Sequence, residues 1–432
     1  MTARSIQFIA YGALSLPLAM VALPIYVQAP AYYTSRLGMP LSTAGVILFL
    51  VRLVDAAQDP LFGRWADTLA RSGRIPAALS ISAVCLAAAF AALWMPMVAG
   101  SALAIWFAAA LVAVYAAHSF MNVTYLAWGA RVARDSDGLT QAAAWREGAG
   151  LLGVLIASAV PSWLLSGEGS VPRQVMVPFI ALFFVLLAAA LWGLRLAPPW
   201  HAPRMPPGHA GRVSADASMQ GVWGAVRGNG PFRRILLPYF LNGLSVAIPA
   251  CLAVFFIEDR LGAMHWVAPS LGLYFLAAAM GLPLWVQISR RIGPRRAWRA
   301  AMCVAIMAFV WTATLGPGDL LPFLAACIGS GFALGADLAL PPVLLAQCIP
   351  DREGSGAYFW IWTLIGKLCL ALSALMLPGL AWLGYRPGAP AVGAPGLALA
   401  LAYAGLPCLL KFAALMALRT KSPTAIVTEE YQ

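Results

Sequence analysis

Residues 51–60 read VRLVDAAQDP and place one base and two acids inside an apolar run that extends over 41–65. Charged side chains at membrane depth are costly, and they usually mark an ion path, a proton relay or a ligand site. Asp55 and Asp59 are four residues apart and therefore share one face of a helix, and Arg52 lies near the same face. One stripe of a membrane helix thus carries two carboxylates and a base.

Pro60 alters the backbone of the same stretch. Because proline has no N–H, the carbonyl of Ala56 loses its helical partner. Carboxylate and carbonyl oxygens on one stripe suit a small hard cation, and paired carboxylates also suit a shared proton. The alternative interpretation is structural, with an Arg52–Asp55 ion pair and with Asp59 capping a helix end. The cost of intramembrane charge favours the functional interpretation.

The composition is that of a membrane protein. The 432 residues are 62% hydrophobic and 10% charged, whereas a soluble domain is about 25% charged. The net charge of +12 does not indicate a nucleic-acid partner, because the bases follow a membrane pattern. The seven cysteines form no C-x-x-C pair, and most lie in apolar runs, so they predict neither disulfides nor a metal cluster.

Twelve apolar spans follow one another along the chain, each long enough to cross a bilayer. Their approximate limits are 5–33, 41–68, 76–96, 100–132, 140–166, 174–196, 232–258, 267–290, 295–315, 319–347, 355–384 and 393–418. Most of the 28 Lys and Arg residues lie at the termini or in the loops after even-numbered spans, and an excess of bases marks the cytoplasmic side. The sequence therefore predicts a multi-pass protein of a bacterial-type cytoplasmic (inner) membrane with both termini in the cytoplasm. No cleavable signal peptide is evident at the N-terminus.

A polar, proline-rich gap divides the spans into two sets of six. We expect an N-terminal six-helix bundle at 1–197, a cytoplasmic linker at 198–230 and a C-terminal six-helix bundle at 231–432. A weak repeat supports this division, because a glycine-containing basic turn follows both the second span, at 63–74, and the eighth span, at 290–296. A duplicated six-helix unit is the architecture of major facilitator transporters, whose solute path lies between the halves. The fold prediction is therefore an all-α membrane protein with twelve transmembrane helices in the major facilitator fold.

Polar side chains in the fourth span are candidate solute contacts. His118 and Asn122 are four residues apart and share a helix face, and Trp128 follows in the same span. One interpretation is a His–Asn pair that joins helices. The other is a cavity wall that hydrogen-bonds a polar solute, with His118 able to carry a proton. The single spacing from His118 to Met121 is weak support for copper, since a copper path needs several such sets.

Further charged and polar groups occur in later spans. Arg146 in the fifth span, Asn242 in the seventh and Asp337 in the tenth are candidate solute contacts. Asp337 precedes a pair of prolines, and a helix broken there would expose backbone carbonyls beside the acid. Lys367 lies well inside the eleventh span, whereas Lys411 in the twelfth is long enough to extend to the cytoplasmic surface.

The second span resembles a known family. It is similar to the helix 2 signature of glycoside–pentoside–hexuronide:cation symporters of the melibiose permease type. The signature here reads Arg52-x-x-Asp55-x-x-x-Asp59-Pro60-x-x-Gly63-x-x-x-Asp67, followed by Arg71-x-Gly73-Arg74. Other pieces in the matching order are Tyr11-Gly12, Asn122, Arg146, Lys367 and Gly384-Tyr385.

The resemblance implies that Asp55 and Asp59 bind the coupling cation (Na⁺, Li⁺ or H⁺) with Lys367 adjacent. It also implies that Asn122 and Arg146 contribute to the sugar pocket or its scaffold. Two features depart from the family members that bind galactosides: the first span contains no acid, and Asn122 replaces the acid of the fourth span. The cation half of the family's mechanism therefore transfers better than the sugar half.

These features predict a cation-coupled (Na⁺ or H⁺) secondary active symporter for a sugar or glycoside that works by alternating access. Cation binding at Asp55 and Asp59 would neutralise the pair and favour solute binding, while Arg52 and Lys367 hold the empty site together. Three alternatives stay open: a drug, lipid, peptide or metal as cargo on the same fold, proton-driven export, and a membrane-embedded enzyme, for which the sequence shows no nucleophile motif or metal set. We expect a small-molecule solute and the lipid bilayer as partners, no nucleic acid, a monomer, and no cofactor besides the coupling ion.

Overall fold

The computed structural model describes residues 3–129, 136–165, 176–197, 227–348 and 355–418. Within these residues, twelve helices are long and apolar enough to cross a membrane, which confirms the predicted number. They are labelled α1 to α12 in chain order, at Ile6–Val27, Leu41–Ala66, Ile75–Trp94, Ala102–Leu126, Gln141–Pro161, Val177–Leu196, Gly230–Arg260, Met264–Ile292, Pro294–Thr314, Leu320–Cys348, Trp360–Trp382 and Gly393–Ala417. Most of the predicted linker, at 198–226, lies outside the described residues, as do the C-terminal residues 419–432.

Proline does not break two of the helices that carry candidate site residues. The helix that contains α2 is continuous over Leu41–Arg71, with Pro60 in its interior. The helix of α10 is likewise continuous over Leu320–Cys348, although it contains two consecutive prolines. The helix beside Asp337 is therefore not broken, and the prolines do not expose a set of carbonyls there. A break at membrane depth leaves several backbone groups without partners, whereas each proline removes only one N–H.

The two basic turns of the predicted repeat share their backbone geometry. Gly73, between α2 and α3, has a φ of 70°, and Gly293, between α8 and α9, has a φ of 85°. This left-handed backbone favours glycine because glycine has no Cβ. The repeated combination of glycine and arginine therefore marks two equivalent tight connections between consecutive helices.

Contacts group the chain into two compact units that are not consecutive in sequence. The first unit contains Met1–Arg204, Ala250–Phe275 and Ala371–Leu399. The second unit contains Met205–Pro249, Leu276–Leu370 and Ala400–Gln432. The division into two six-helix bundles, drawn from the sequence, stays a prediction.

Aromatic side chains form much of the core of the first unit. Tyr32 and Tyr33 follow α1 and donate hydrogen bonds to the carbonyls of Trp94 (3.1 Å) and Leu93 (2.6 Å) at the end of α3. Buried tyrosine hydroxyls usually find such partners. Further buried rings that complete this cluster are Phe90, Phe107, Phe179 and Phe183. The cluster fixes the end of α1 against α3, α4 and α6.

A close crossing of α1 and α5 also positions the site helices. A Cβ added at Gly153 in α5 would lie 2.2 Å from the carbonyl oxygen of Leu16 in α1. Small residues allow such close approach of backbones in membranes, where dispersion contacts drive helix association. Glycine at position 153 is therefore a packing requirement.

The core of the second unit gathers side chains from α7 to α12. Its largest buried members are Phe232, Trp285, Trp298, Tyr358 and Trp362. The rings of Phe232 and Tyr358 meet edge to face, with centroids 4.7 Å apart. Trp298 of this core also donates a hydrogen bond from Nε1 to Asp337.

Candidate cation and solute site

The carboxylate of Asp55 is the centre of a polar cluster in the first unit. Its side chain is buried, with 2% of the residue exposed. Ser119 in α4 donates a hydrogen bond from Oγ to Oδ1 at 2.6 Å, and the other oxygen, Oδ2, lies 3.6 Å from Nη1 of Arg52. The predicted proximity of Arg52 and Asp55 is thus present in the structure, and Ser119 is an additional partner.

Arg52 lies between two tyrosine rings. Its guanidinium carbon is 4.1 Å from the ring centroid of Tyr115 in α4 and 5.8 Å from that of Tyr26 in α1. Tyr26 is itself fixed by a hydrogen bond between its hydroxyl and Ser373 in α11. Aromatic faces stabilise a cation in this geometry. The packing therefore holds the guanidinium beside the Asp55 carboxylate.

Asp59 lies one turn beyond Asp55 on the same helix, and its side chain is half-buried. Because the helix continues to Arg71, Asp59 does not cap a helix end. That part of the structural interpretation is wrong. Asp55 and Asp59 instead present two carboxylates on one face of an uninterrupted helix.

The residues predicted in the fourth span, which lie on the helix Ala102–Gly129, take different positions. His118 donates from Nε2 to the carbonyl of Leu18 in α1 at 3.1 Å, so its imidazole joins two helices. Asn122 is half-buried three residues beyond Ser119, whereas Trp128 is buried in a groove of about 930 Å³ with residues of α3 and α6. Trp128 is nine residues, or about 13 Å along the helix, from Ser119, and so lies away from the Asp55 cluster.

Sequence reasoning missed Tyr115 and Ser119, although a signal was present. Tyr115, Ser119 and Asn122 are spaced by four and three residues, which places them on one face of α4. A search for polar stripes in each span, rather than for charges alone, would have found this face.

Asp337 and Asn242 belong to a separate polar cluster in the second unit, where Lys411 joins them. Lys411 in α12 donates to Asp337 Oδ2 and to Asn242 Oδ1, each at 2.8 Å. Trp298 in α9 donates from Nε1 to Asp337 Oδ1 at 2.8 Å. Lys411 is 7% exposed, so its ammonium is buried against Asp337 and does not extend to the surface. A buried carboxylate within hydrogen-bond distance offsets part of the cost of burying the ammonium.

Arg146 and Lys367 are two further residues taken from the resemblance. Arg146 Nη2 donates to Oε1 of its neighbour Glu147 at 2.6 Å, and about a quarter of the Arg146 side chain is exposed (27%). Lys367 is half-buried on α11 in the second unit. Its predicted proximity to Asp55, which belongs to the first unit, stays a prediction.

Side chains that commonly bind metal ions are not clustered in the part of the chain that the structure describes. No group of three or more His, Cys, Asp or Glu side chains gathers there to hold a metal ion. Asp55 and Asp59 supply oxygen ligands only, together with the carbonyl that Pro60 leaves without a helical donor. Such ligands suit Na⁺ or a proton as a transported ion rather than a resident transition metal.

Comparisons with known proteins agree with this architecture. The family profile described as MFS/sugar transport protein matches residues 8–422, whereas curated proteins gave no match. A bacterial homologue of the human lysosomal transporter Spinster superposes with a TM-score of 0.69 at 15% identity, over 97% of this chain and 95% of that one. The nucleoside transporter NupG superposes at 0.67 and 15% identity (98% and 100% of the two chains). The D-xylose–proton symporter superposes at 0.66 and 13% identity (97% and 98%).

At these identities the solved structures establish the fold alone, and the profile establishes the family. The twelve helices, the buried charges in α2 and the profile match over nearly the whole chain point to the same class of protein. The chain therefore belongs to the MFS/sugar transport protein family and is a multi-pass membrane transporter rather than an enzyme.

Proposed function

We propose that this protein is a cation-coupled symporter that carries a sugar or glycoside by alternating access, with Na⁺ or H⁺ as the coupling ion. The observation that carries the proposal is the buried Asp55 carboxylate, held between Arg52 and Ser119 on two helices of an MFS/sugar family transporter. A buried carboxylate is costly unless it is neutralised, and a transported cation neutralises it.

The coupling follows from charge balance within the cluster. In the empty site Arg52 offsets the charge of Asp55, which limits the cost of burial. A cation bound by Asp55 and Asp59, with the Ala56 carbonyl as a third oxygen ligand, takes over that role. The changed charge balance then favours the solute-bound state, so that the two ligands bind with positive linkage.

Two comparisons support a sugar as the transported solute. The matching family profile carries sugar transport in its description, and the D-xylose–proton symporter shares the fold. We propose Asn122, Arg146 and His118 as solute contacts in the first unit. The remaining proposed contacts are Trp128, Asn242 and Asp337, with Lys367 assisting the cation site.

One observation favours a non-sugar cargo as the second candidate. The first span carries no acid, and Asn122 stands where galactoside-binding members have one. A drug, lipid, peptide or metal, or export driven by protons, would fit the same fold with a different pocket. A carboxylate at either position would accept strong, charge-assisted hydrogen bonds from sugar hydroxyls, and this chain lacks both.

We also propose a cytoplasmic (inner) membrane location with both termini in the cytoplasm, and a monomeric transporter. The support is the concentration of arginine in the turns after α2 and α8, because short basic loops stay on the cytoplasmic side. Labelling of single cysteines introduced in these turns, from each side of right-side-out vesicles, checks the orientation.

The test is the thermal stability of the purified protein against a panel of sugars and glycosides, with and without Na⁺ or Li⁺ and at two pH values. We expect one sugar to raise the melting temperature, the cation to enhance this shift, and Asp55→Asn to abolish the enhancement. Asp319→Asn is the matched control, because the Asp319 carboxylate accepts a hydrogen bond from the Gly316 N–H in a turn between α9 and α10. Equal cation responses in wild type and Asp55→Asn would refute the coupling site.

A further inference from the structure

Arg52 has donor groups that its neighbours do not use. A guanidinium carries five N–H donors, yet the Nη1–Asp55 distance of 3.6 Å exceeds that of a hydrogen bond. Among the described residues, Nε of Arg52 has no hydrogen-bond partner although it is fully buried. Arg52 as a whole is 9% exposed. The guanidinium is thus held in place by stacking, with an unfilled position for an acceptor.

Tyr115 presents a second unfilled donor in the same place. Its ring lies against the Arg52 guanidinium at 4.1 Å, and the residue is 3% exposed. Its hydroxyl is buried and, within the described chain, makes no hydrogen bond. Leaving a buried donor without a partner is energetically unfavourable. Two such donors on residues in direct contact indicate a binding site for a hydrogen-bond acceptor.

Asp55 does not fill this position. Its Oδ1 already accepts from Ser119 at 2.6 Å, and its Oδ2 is too far from Arg52 for a hydrogen bond. The missing partner is therefore an acceptor from outside the cluster. Guanidinium groups bind carboxylates and phosphates through paired, charge-assisted hydrogen bonds, and these are stronger than bonds to neutral hydroxyls.

We propose that Arg52 and Tyr115 form an anchoring subsite for an oxyanion of the transported solute, a carboxylate or a phosphate. The proposal rests on the proposed symport and specifies its cargo as an acidic solute. When the cation neutralises Asp55, Arg52 loses its counter-charge and becomes an uncompensated buried cation. The solute oxyanion restores the balance, so cation and acidic solute each strengthen the binding of the other. Arg52 is buried in this structure, and alternating access opens the subsite to solute.

The experiment compares acidic and neutral members of matched pairs on the purified full-length protein. The probes are glucuronate against glucose, galacturonate against galactose, and glucose 6-phosphate against glucose, each titrated by thermal shift with saturating Na⁺ or at low pH. We expect an acidic member to act at concentrations about tenfold or more below its neutral counterpart, the effect of a charge-assisted hydrogen bond. The uronate and sugar phosphate arms separate a carboxylate site from a phosphate site.

Variants assign the preference to the two residues. Arg52→Gln removes the preference for acidic over neutral solutes. Arg52→Lys keeps the positive charge but lacks the planar guanidinium, so it retains part of this preference. Tyr115→Phe removes one donor and lowers the preference several-fold. Tyr403→Phe, a buried tyrosine packed against Phe309 in the second unit, leaves it unchanged.

The outcomes distinguish this subsite from the coupled symport. Equal binding of acidic and neutral members by the wild type overturns the subsite, as does a full preference that persists in Arg52→Gln. If Arg52→Gln does not fold, a full preference in Tyr115→Phe overturns the role of Tyr115 and with it the subsite. An Arg52-dependent preference without any cation effect supports the subsite and refutes cation coupling.

Discussion

Ser119 connects the cation site to α4 through a single hydroxyl. Its bond to Asp55 links two helices inside the first unit, whereas most buried serines of membrane helices bond to their own backbone. Ser158 shows the common pattern, with its Oγ bonded to the carbonyl of Leu155 at 2.9 Å. The two serines therefore form a matched pair for testing the polar cluster.

Ser119→Ala is expected to lower the free energy of unfolding by about 1–3 kcal/mol, because Asp55 Oδ1 stays buried without its donor. Ser158→Ala should have a smaller effect, since the carbonyl that it releases keeps its helical N–H. Thermal unfolding of both variants in detergent measures the difference. Equal melting temperatures for the two alanine variants would contradict the account of the Asp55 environment.

Lys411 and Asp337 form a buried ion pair in which each side chain compensates the charge of the other. Both side chains are less than a tenth exposed, and their N···O distance is 2.8 Å. Removing one partner leaves an uncompensated charge, at a cost of about 3–5 kcal/mol, whereas removing both is far less costly. Lys411→Met alone should therefore destabilise the protein strongly.

The double variant Lys411→Met with Asp337→Asn should recover much of the stability lost in Lys411→Met. Melting temperatures of the wild type, both single variants and the double variant give the coupling energy. Additive losses in the double variant would show that the two side chains act independently and would contradict the pairing.

At the scale of secondary-structure elements, the contact of α1 with α5 limits the side chain at one position. Gly153→Ala places a Cβ 2.2 Å from the Leu16 carbonyl oxygen, so the helices must separate. We expect a marked drop in melting temperature and weaker solute binding, because α1 carries Tyr26 beside Arg52.

Gly148→Ala is the control on the same helix, because a Cβ there meets no other atom within 4 Å. Alanine is a better helix former than glycine, so this change should be neutral or slightly stabilising. If Gly148→Ala were as harmful as Gly153→Ala, the close crossing would not be the cause.

At the scale of the whole molecule, the first unit includes the end of α7, the start of α8, the end of α11 and the start of α12. Arg36, after α1, lies 3.7 Å from Glu258 at the end of α7, and Tyr26 is bonded to Ser373 in α11. Tyr385 donates to Asp259, and burial, with the charge of Asp259 as the next cause, raises the pKa of Tyr385, which keeps the hydroxyl protonated. These contacts attach the segments Ala250–Phe275 and Ala371–Leu399 to the first unit.

The chain passes from the second unit to the first at Pro249, in the interior of α7. Proline interrupts the helical hydrogen bonds at such a point and allows bending. We expect Pro249→Ala to stiffen α7 and slow turnover several-fold without changing the solute-induced shift in melting temperature. Pro238→Ala, in the same helix but within the second unit, should slow turnover less. Solute counterflow in proteoliposomes measures both rates.

The sequence predicts the twelve helices, because each span must satisfy its backbone within the membrane. It also predicts the proximity of Arg52 and Asp55, because their spacing is local to one helix. It does not predict Ser119 and Tyr115 as partners, since the rotation of α4 about its own axis depends on packing against α2. The partner of Lys411 is likewise not predicted. Asp337 is 74 residues away in the chain, and the limits of the spans do not show which side chains of different helices are in contact.

Gradient-driven accumulation in proteoliposomes tests the central claim most directly. Radiolabelled sugars and sugar acids are offered to the wild type and to Asp59→Asn under an imposed inward Na⁺ or proton gradient, and counterflow without a gradient is measured in parallel. We predict that the wild type accumulates at least one of these solutes. We predict that Asp59→Asn loses accumulation but keeps exchange by counterflow. Full gradient-driven accumulation in Asp59→Asn would contradict a coupling site on α2.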